Sequence, residues 1–387
     1  MLILRTNKLS LHNLNKFDDN FIIRLSKDNY RPKGLAKNEA KIYNENDELL
    51  NYKLYLAFDN QDYSLVNNAK LPLIVIHENL KYLDEGDIIA ISLKKKSLAV
   101  LYRKNSTSNS FLLTERCNHY CLMCSQPPKN IQDDYLIQEV LDAIPLIDKN
   151  TEELGLTGGE PTLLGDSLFK IITQSKNFLP NTSLHLLTNG RKFFDMAFSQ
   201  KYAAIEHPDI VAGIPLYSDV SSIHNYVVQA ENAFNETIKG ILNLKSLKQK
   251  VEIRVVIHKQ TYKRLPHLAE YIVRNLTMVD HVALMGLEIT GFTRANLNDL
   301  WIDPVEYKNE LLEAINILSG HRLNVSLYNH QLCLVDKKNW PFYRKSISDW
   351  KNEYMPECEG CDEQVRCGGF FSSAKHKYSD NIKPIKT

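Results

Sequence analysis

From residue 111 onward the chain alternates short apolar strands with amphipathic helices, and this alternation limits its fold more than any other feature. "FLLTE" (111–115) reads as a strand and "DDYLIQEVLDAIPLI" (133–147) carries Leu136, Ile137, Val140, Leu141 and Ile144 at helical spacing. "LGLTGG" follows as a second strand, "DSLFKIITQSKNFL" as a helix, "SLHLLTNG" and "DIVAGIPLYS" as strands three and four. A long helix over 221–247 would place Ile223, Tyr226, Val227, Ala230, Phe234 and Ile241 on one face. "VEIRVVIHK", the helical "HLAEYIVRNL", "HVALMGLEITG", a helix near 304–318 and "LNVSLYN" complete the series. Such a run predicts an α/β architecture with a parallel sheet, a partial (β/α)6 TIM-like barrel.

Two flanking regions differ. Residues 1–107 read as a β-rich N-terminal domain, with "KLYLAF", "LPLIVIH", "GDIIAISL" and "SLAVLYR" as strands, Lys94–Lys95–Lys96 as a solvated hairpin turn and "KNSTSNS" as a polar linker. Residues 108–325 hold the barrel. Residues 326–387 show little periodicity and read as a small domain ending in a frayed polar tail, "SSAKHKYSDNIKPIKT".

Charge offers no partner. With 47 basic and 46 acidic residues the net charge is +1, which argues against nucleic acid and against an anionic membrane surface. The most apolar stretch, "LPLIVIH" at 71–77, is strand-sized, far short of the ~20 residues a membrane span needs. The start "MLILRTNKLSLHNL" has no signal-peptide pattern, so the chain reads as cytoplasmic. In that compartment seven cysteines, an odd number, point to metal or cluster ligation rather than disulfides.

Three of the seven form Cys117-x3-Cys121-x2-Cys124 directly after strand one. "TGGEPT", "TNG" and "YSD" follow strands two, three and four, so four unusual loops share the C-terminal rim where such folds carry their chemistry. Thiolates select zinc or iron–sulfur groups. Zinc would close with a fourth ligand, for which His119 lies in reach of the same loop; a [4Fe–4S] cube on three thiolates would keep one iron open. Gly158 and Gly159 let backbone approach a ligand, and the Glu160 carboxylate suits an ammonium group. Cys358-x2-Cys361-x5-Cys367, with Cys333 upstream, makes a second group that fits either zinc or a cube.

"CNHYCLMC" followed by "LTGGEPTL" resembles the radical S-adenosylmethionine superfamily over roughly residues 108–325. The resemblance implies that Cys117, Cys121 and Cys124 hold a [4Fe–4S] cluster whose open iron takes the amino and carboxylate groups of S-adenosylmethionine. Reductive cleavage would then give a 5′-deoxyadenosyl radical that abstracts hydrogen from substrate. By the same resemblance Met123 meets adenine through its backbone, and Gly158, Gly159 and Glu160 bind the methionine amino group. Ser218 contacts ribose, Arg254 is the candidate for the methionine carboxylate, and Thr188 and Asn189 line the rim. No catalytic residue on the substrate side is assigned. Cys333, Cys358, Cys361 and Cys367 resemble the auxiliary-cluster extensions called SPASM and twitch, in the shorter four-cysteine form, which would hold a second [4Fe–4S] cluster.

"LLTERCNHYCLMCSQPPK", "LMGLEITGFTRANLNDLWIDP" and "PFYRKSISDWKNEYMPECEGC" further resemble the C-type radical maturase of the His-Xaa-Ser peptide-modification system. That likeness implies post-translational modification of a peptide or small-protein substrate, a companion radical maturase and a reductase such as flavodoxin or ferredoxin. Two other readings stay open at this stage: a radical enzyme acting on a small metabolite or RNA, and a non-catalytic iron–sulfur scaffold or redox sensor.

Overall fold

The structure is a computed structural model describing residues 4–29, 31–46, 48–50, 52–345 and 352–386. The first three residues of the N-terminal stretch, and 346–351 within the "PFYRKSISDWKNEYMPECEGC" segment, lie outside the described residues. The chain divides into two compact units, one of Met1–Phe111, Asp134–Leu154 and Gln174–Thr182, the other of Leu112–Asp133, Gly155–Thr173 and Ser183–Thr387.

The first unit contains β1 (Arg5–Thr6), β2 (Leu9–His12), β3 (Asn20–Ser26), β4 (Glu39–Ile42), β5 (Leu54–Phe58), β6 (Leu73–Ile76), β7 (Ile88–Ser92) and β8 (Ser97–Tyr102) in one sheet, with short helices α1 (Lys33–Ala36) and α2 (Ser64–Asn68). Their order is β1-β8-β7-β3-β4-β5-β6-β2. β3, β4, β5 and β6 pair in parallel. β5 and β6, LYLAF and LIVI, read as unbroken apolar runs, as suits parallel strands covered on both faces. In β5, Leu54, Leu56 and Phe58 enter one apolar cluster while Tyr55 and Ala57 enter another. The basic run at 94–96 turns the antiparallel β7–β8 hairpin, as its composition predicts.

The seven-stranded sheet takes β9 (Asn109–Leu112), β10 (Glu153–Thr157), β11 (Ser183–Leu187), β12 (Ile210–Pro215), β13 (Lys250–Ile257), β14 (His281–Gly286) and β15 (Val325–Tyr328) in sequence order. Pairing is parallel from β11 through β15. Helices α3 (Tyr135–Ala143), α4 (Asp166–Phe178), α5 (Met196–Ala203), α6 (Ser221–Val228), α7 (Ala233–Ser246), α8 (Leu265–Asn275), α9 (Phe292–Ala295), α10 (Leu297–Leu300) and α11 (Lys308–Gly320) occupy the connections. The fold is thus mixed α/β with a parallel sheet. Sequential parallel strands bring the loops that follow them to one edge.

Two expectations need correction. The single helix over 221–247 is two helices: Gln229 and Asn232 adopt left-handed φ of 53° and 54°, which ends α6 and restarts the chain at α7. Neither residue is glycine, so the break leaves little mark in the sequence. The polar tail, described to residue 386, is packed rather than frayed. Ser379 Oγ donates to Asp303 Oδ2 at 2.7 Å, Ile382 is buried against Leu334 and Phe370, and the Ile385 backbone N–H donates to Cys361 Sγ at 3.3 Å.

On one face of the second unit's sheet sits a buried polar network. Glu252 Oε1 accepts from Arg254 Nη1 at 2.7 Å and lies 3.3 Å from His185 Nε2, while Oε2 meets His281 Nδ1 at 2.6 Å. Burial pushes the Glu252 carboxyl up, but His185, His281 and Arg254 together hold it well below the ordinary range. Its stabilising contribution is therefore full above the usual carboxylate pKa and is lost as pH falls through the depressed value. Glu252→Gln should lower unfolding stability at neutral pH by about 3 kcal/mol, with a smaller difference at acid pH. Urea melts at both pH values check this, and equal stability at neutral pH contradicts it.

Candidate active site

The loop after β9 carries Cys117, Cys121 and Cys124, all unpaired and half-buried. It is held by neighbours from four other segments. After β10, the backbone N–H of Gly159 donates to Thr114 O and that of Glu160 to Arg116 O, at 2.7 and 2.8 Å. A side chain on Gly158 or Gly159 would strike those same backbone groups, so the two glycines serve loop-to-loop contact. After β11, Asn189 Nδ2 donates to Asn118 Oδ1 at 2.7 Å and Arg191 Nη1 reaches Asn118 O at 3.4 Å. The last turn of α6 accepts from Tyr120 and Leu122 through Val228 O and Val227 O.

The segment after β14 completes the clamp. The Phe292 N–H donates to Cys124 O at 2.8 Å, Thr293 Oγ1 to Met123 O at 3.2 Å and Asn296 Nδ2 to Leu122 O at 2.8 Å. Gly291 (φ 51°) makes the approach possible, since a Cβ there would fall against Cys124 O and Ser125 O. Residues 291–296 were not singled out as site residues from sequence. Their partners lie about 170 positions away (Thr293 and Met123), and a glycine followed by Thr and Asn after strand six is the one local signal.

Glu160 occupies the centre of this arrangement at 1% exposure. Its Oε1 accepts from Thr162 N, Thr162 Oγ1 and Thr188 Oγ1 at 3.0, 2.6 and 2.6 Å, and Oε2 accepts from Asn189 N at 2.6 Å. The carboxylate thus ties the loops after β10 and β11 together, and of its roughly four acceptor directions only one, on Oε2, is left for a further donor. Burial raises its pKa and these hydrogen bonds oppose the rise.

Elsewhere the sequence-selected residues fall as follows. Met123 is buried against Tyr217, Val227, Val228 and Leu300, with its carbonyl taken by Thr293. Ser218 is fully buried after β12 and its Oγ accepts from Val220 N at 3.1 Å. Arg254 is paired with Glu252. Burial raises all three thiols. Cys117 is pushed up to about 11, and Cys121 higher still, with the charges of neighbouring thiols and Glu160 adding to burial.

The donor set suits a thiolate-bound cluster. The free thiols on a rigid loop are soft ligands, and a cube asks each to meet a separate iron. Among the described residues no three or more His, Cys, Asp or Glu side chains surround a single-ion position. Raised thiol pKa values mean that loading displaces protons.

The remaining thiols share a second place. Cys333, Cys358, Cys361 and Cys367 line one small cavity, with Gln331, Tyr354 and Lys383 among its walls. Backbone N–H groups of Ile385 and Gly369 donate to Cys361 Sγ and Cys367 Sγ at 3.3 and 3.5 Å. A separate chamber, lined by Leu287, Glu288, Trp301, Tyr343, Phe370 and Tyr378 among others, also includes Gln331 in its wall. One segment, 287–296, therefore faces that chamber at its start and clamps the Cys117–Cys124 loop at its end.

Residues 111–272 match the model of the Radical SAM superfamily, so this part of the chain is similar to a radical SAM domain. No curated protein matches the chain by sequence. Solved structures with a similar course include Streptococcus suis SuiB bound to S-adenosylmethionine (15% identity, TM-score 0.47, 58% of this chain and 51% of that one). Native anSMEcpe with bound AdoMet aligns at 14% identity and TM-score 0.49 over 72% of this chain and 92% of that one. The radical SAM enzyme HemN, coproporphyrinogen III oxidase from Escherichia coli, aligns at 14% and 0.45 over 55% and 52%. The match spans about half the length of SuiB.

Gly291→Ala should dislodge the thiol loop while leaving the sheet intact. The expected result is a loss of more than half the iron taken up on anaerobic reconstitution with an unchanged circular dichroism spectrum. Wild-type iron content in that variant contradicts the clamp.

Proposed function

We propose that the protein is a radical S-adenosylmethionine enzyme that modifies a peptide or small protein, acting as the C-type maturase of a His-Xaa-Ser system. The observation that carries this reading is the partition of the seven thiols, three on the clamped loop and four around a separate cavity. In this reading Cys117, Cys121 and Cys124 hold one [4Fe–4S] cluster, and Cys333, Cys358, Cys361 and Cys367 hold an auxiliary one. The first cluster, when bound, supplies the electron that splits the sulfonium of S-adenosylmethionine, giving the 5′-deoxyadenosyl radical that takes hydrogen from substrate.

The protein's own groups prepare that event. Glu160 Oε2 offers its open acceptor direction to the methionine ammonium, with Gly158 and Gly159 holding the loop close. Arg254 answers the carboxylate, kept in place by Glu252. Ser218 lies near the ribose, Met123 presents backbone toward adenine, and Thr188 and Asn189 hold the rim through Glu160. The chamber beside segment 287–296, whose walls mix aromatic residues with Glu288, Gln331 and Lys377, receives the peptide.

The remaining assignments follow from the same reading. Residues 1–107 form a β-rich domain, 108–325 the partial barrel and 326–387 the twitch-like auxiliary domain. A companion maturase and a flavodoxin- or ferredoxin-type reductase are the expected partners, in the cytoplasm. Among the described residues no helix is long and apolar enough to cross a membrane.

Reduced protein incubated anaerobically with S-adenosylmethionine and a His-Xaa-Ser repeat peptide should release 5′-deoxyadenosine and change the peptide mass. Cys121→Ala should abolish both. Deoxyadenosine without any change in the peptide would leave the radical chemistry standing and remove the peptide assignment. Cys361→Ala should cut total iron by about half through loss of one of two cubes, and unchanged iron and sulfide would show that the second cavity holds no cluster.

A further inference from the structure

His119 lies between the first two cysteines, and its ring is 3% exposed. Its backbone N–H donates to Cys117 Sγ at 3.4 Å. Its ring Nδ1 faces Cys121 Sγ at 4.0 Å, the outer limit for a hydrogen bond to sulfur. His119 thus addresses two of the three thiols, one through backbone and one through side chain. On the far side of the ring, Nε2 is buried without a hydrogen-bond partner.

A neutral imidazole has one N–H and one bare nitrogen. Which nitrogen holds the proton follows from the partner. A ligated thiolate only accepts, so Nδ1 must donate. This choice leaves the unpartnered Nε2 as a buried acceptor, which is less costly than a buried N–H without a partner.

We propose that His119 is a positioning residue that donates an Nδ1–H···S hydrogen bond to the Cys121 thiolate and thereby raises the reduction potential of the cluster held by Cys117, Cys121 and Cys124. The inference rests on the cluster assignment above and deepens it. Hydrogen bonds to ligating sulfurs draw electron density from the cluster and are a principal control of its potential. Substituents on the neighbouring positions keep the ring where it is: Tyr120 N–H and Leu122 N–H are both anchored to the end of α6, and Asn118 is held by Asn189 and Arg191. The ring therefore has a fixed direction toward the Cys121 sulfur set by the loop's own contacts.

The test reads the cluster rather than turnover. Anaerobically reconstituted full-length wild type, His119→Leu and His119→Gln are compared by iron and sulfide content and by redox titration followed with electron paramagnetic resonance. The expected result is an unchanged iron content in all three, a more negative midpoint in His119→Leu, and partial recovery in His119→Gln, which keeps an N–H. An unchanged midpoint in His119→Leu with iron retained overturns the proposal. So does loss of iron in both variants, which would make His119 a ligand or a structural residue.

A measurement on the intact protein stands beside the variants. Wild type labelled with 15N only in the histidine ring should show a weak nitrogen coupling to the reduced cluster in pulsed resonance. Coupling of the size given by a directly bound nitrogen, or none at all, refutes the hydrogen bond. Absence of any iron–sulfur signal in wild type would instead remove the cluster assignment itself, so the two failures are distinguishable.

Discussion

The site depends on the immobilisation of one short irregular loop by hydrogen bonds to its backbone. A segment with three cysteines in eight residues has no periodic structure to hold it, and its carbonyls and amides must find partners elsewhere. They find them in residues that follow three other strands or end a helix. Glycines permit the approach at 158, 159 and 291, and Asn118, Asn189, Thr293 and Asn296 supply the polar contacts. Each contact alone contributes about 1 kcal/mol, so no single one decides the loop's shape. Together they fix where the thiols stand, the arrangement that the proposed cluster with its one open iron would require.

Glu160 shows how one residue can hold structural and chemical duties at once. Its carboxylate is buried and nearly saturated by the loops after β10 and β11. Such a carboxylate is held in one orientation by its donors. A cationic group placed at its one open direction would be held by a charge that cannot swing away. Arg254 is likewise fixed, by Glu252 and its histidine neighbours, rather than free to search for a ligand. The radical SAM match over residues 111–272 thus falls on a region whose charged groups are immobilised by the fold itself.

Much of this was legible from residue order. The strands from 109 to 328 were read from apolar runs, and the places of Cys117, Gly158, Thr188 and Ser218 after successive strands followed from the alternation. What escaped had little local signal. The break between α6 and α7 rests on left-handed Gln229 and Asn232, of which only Asn is a residue type that favours that region. The packing of the C-terminal segment rests on Asp303 accepting from Ser379, far away in sequence. The clamp at 291–296 is equally non-local. The N-terminal strands were seen as β but not as parallel, because pairing partners are set by packing and not by composition. For the auxiliary thiols, spacing linked Cys358, Cys361 and Cys367, and only the fold brings Cys333 to the same cavity.

The central claim is that the Cys117–Cys121–Cys124 loop holds a cube with one iron left open to S-adenosylmethionine. Its most direct test is electron paramagnetic resonance of the reduced, anaerobically reconstituted Cys358→Ala/Cys361→Ala protein, which isolates this site, recorded before and after adding S-adenosylmethionine. The account predicts a reduced [4Fe–4S] signal whose line shape changes when the compound is added. A signal that stays the same, or zinc in place of iron at this loop, would contradict it.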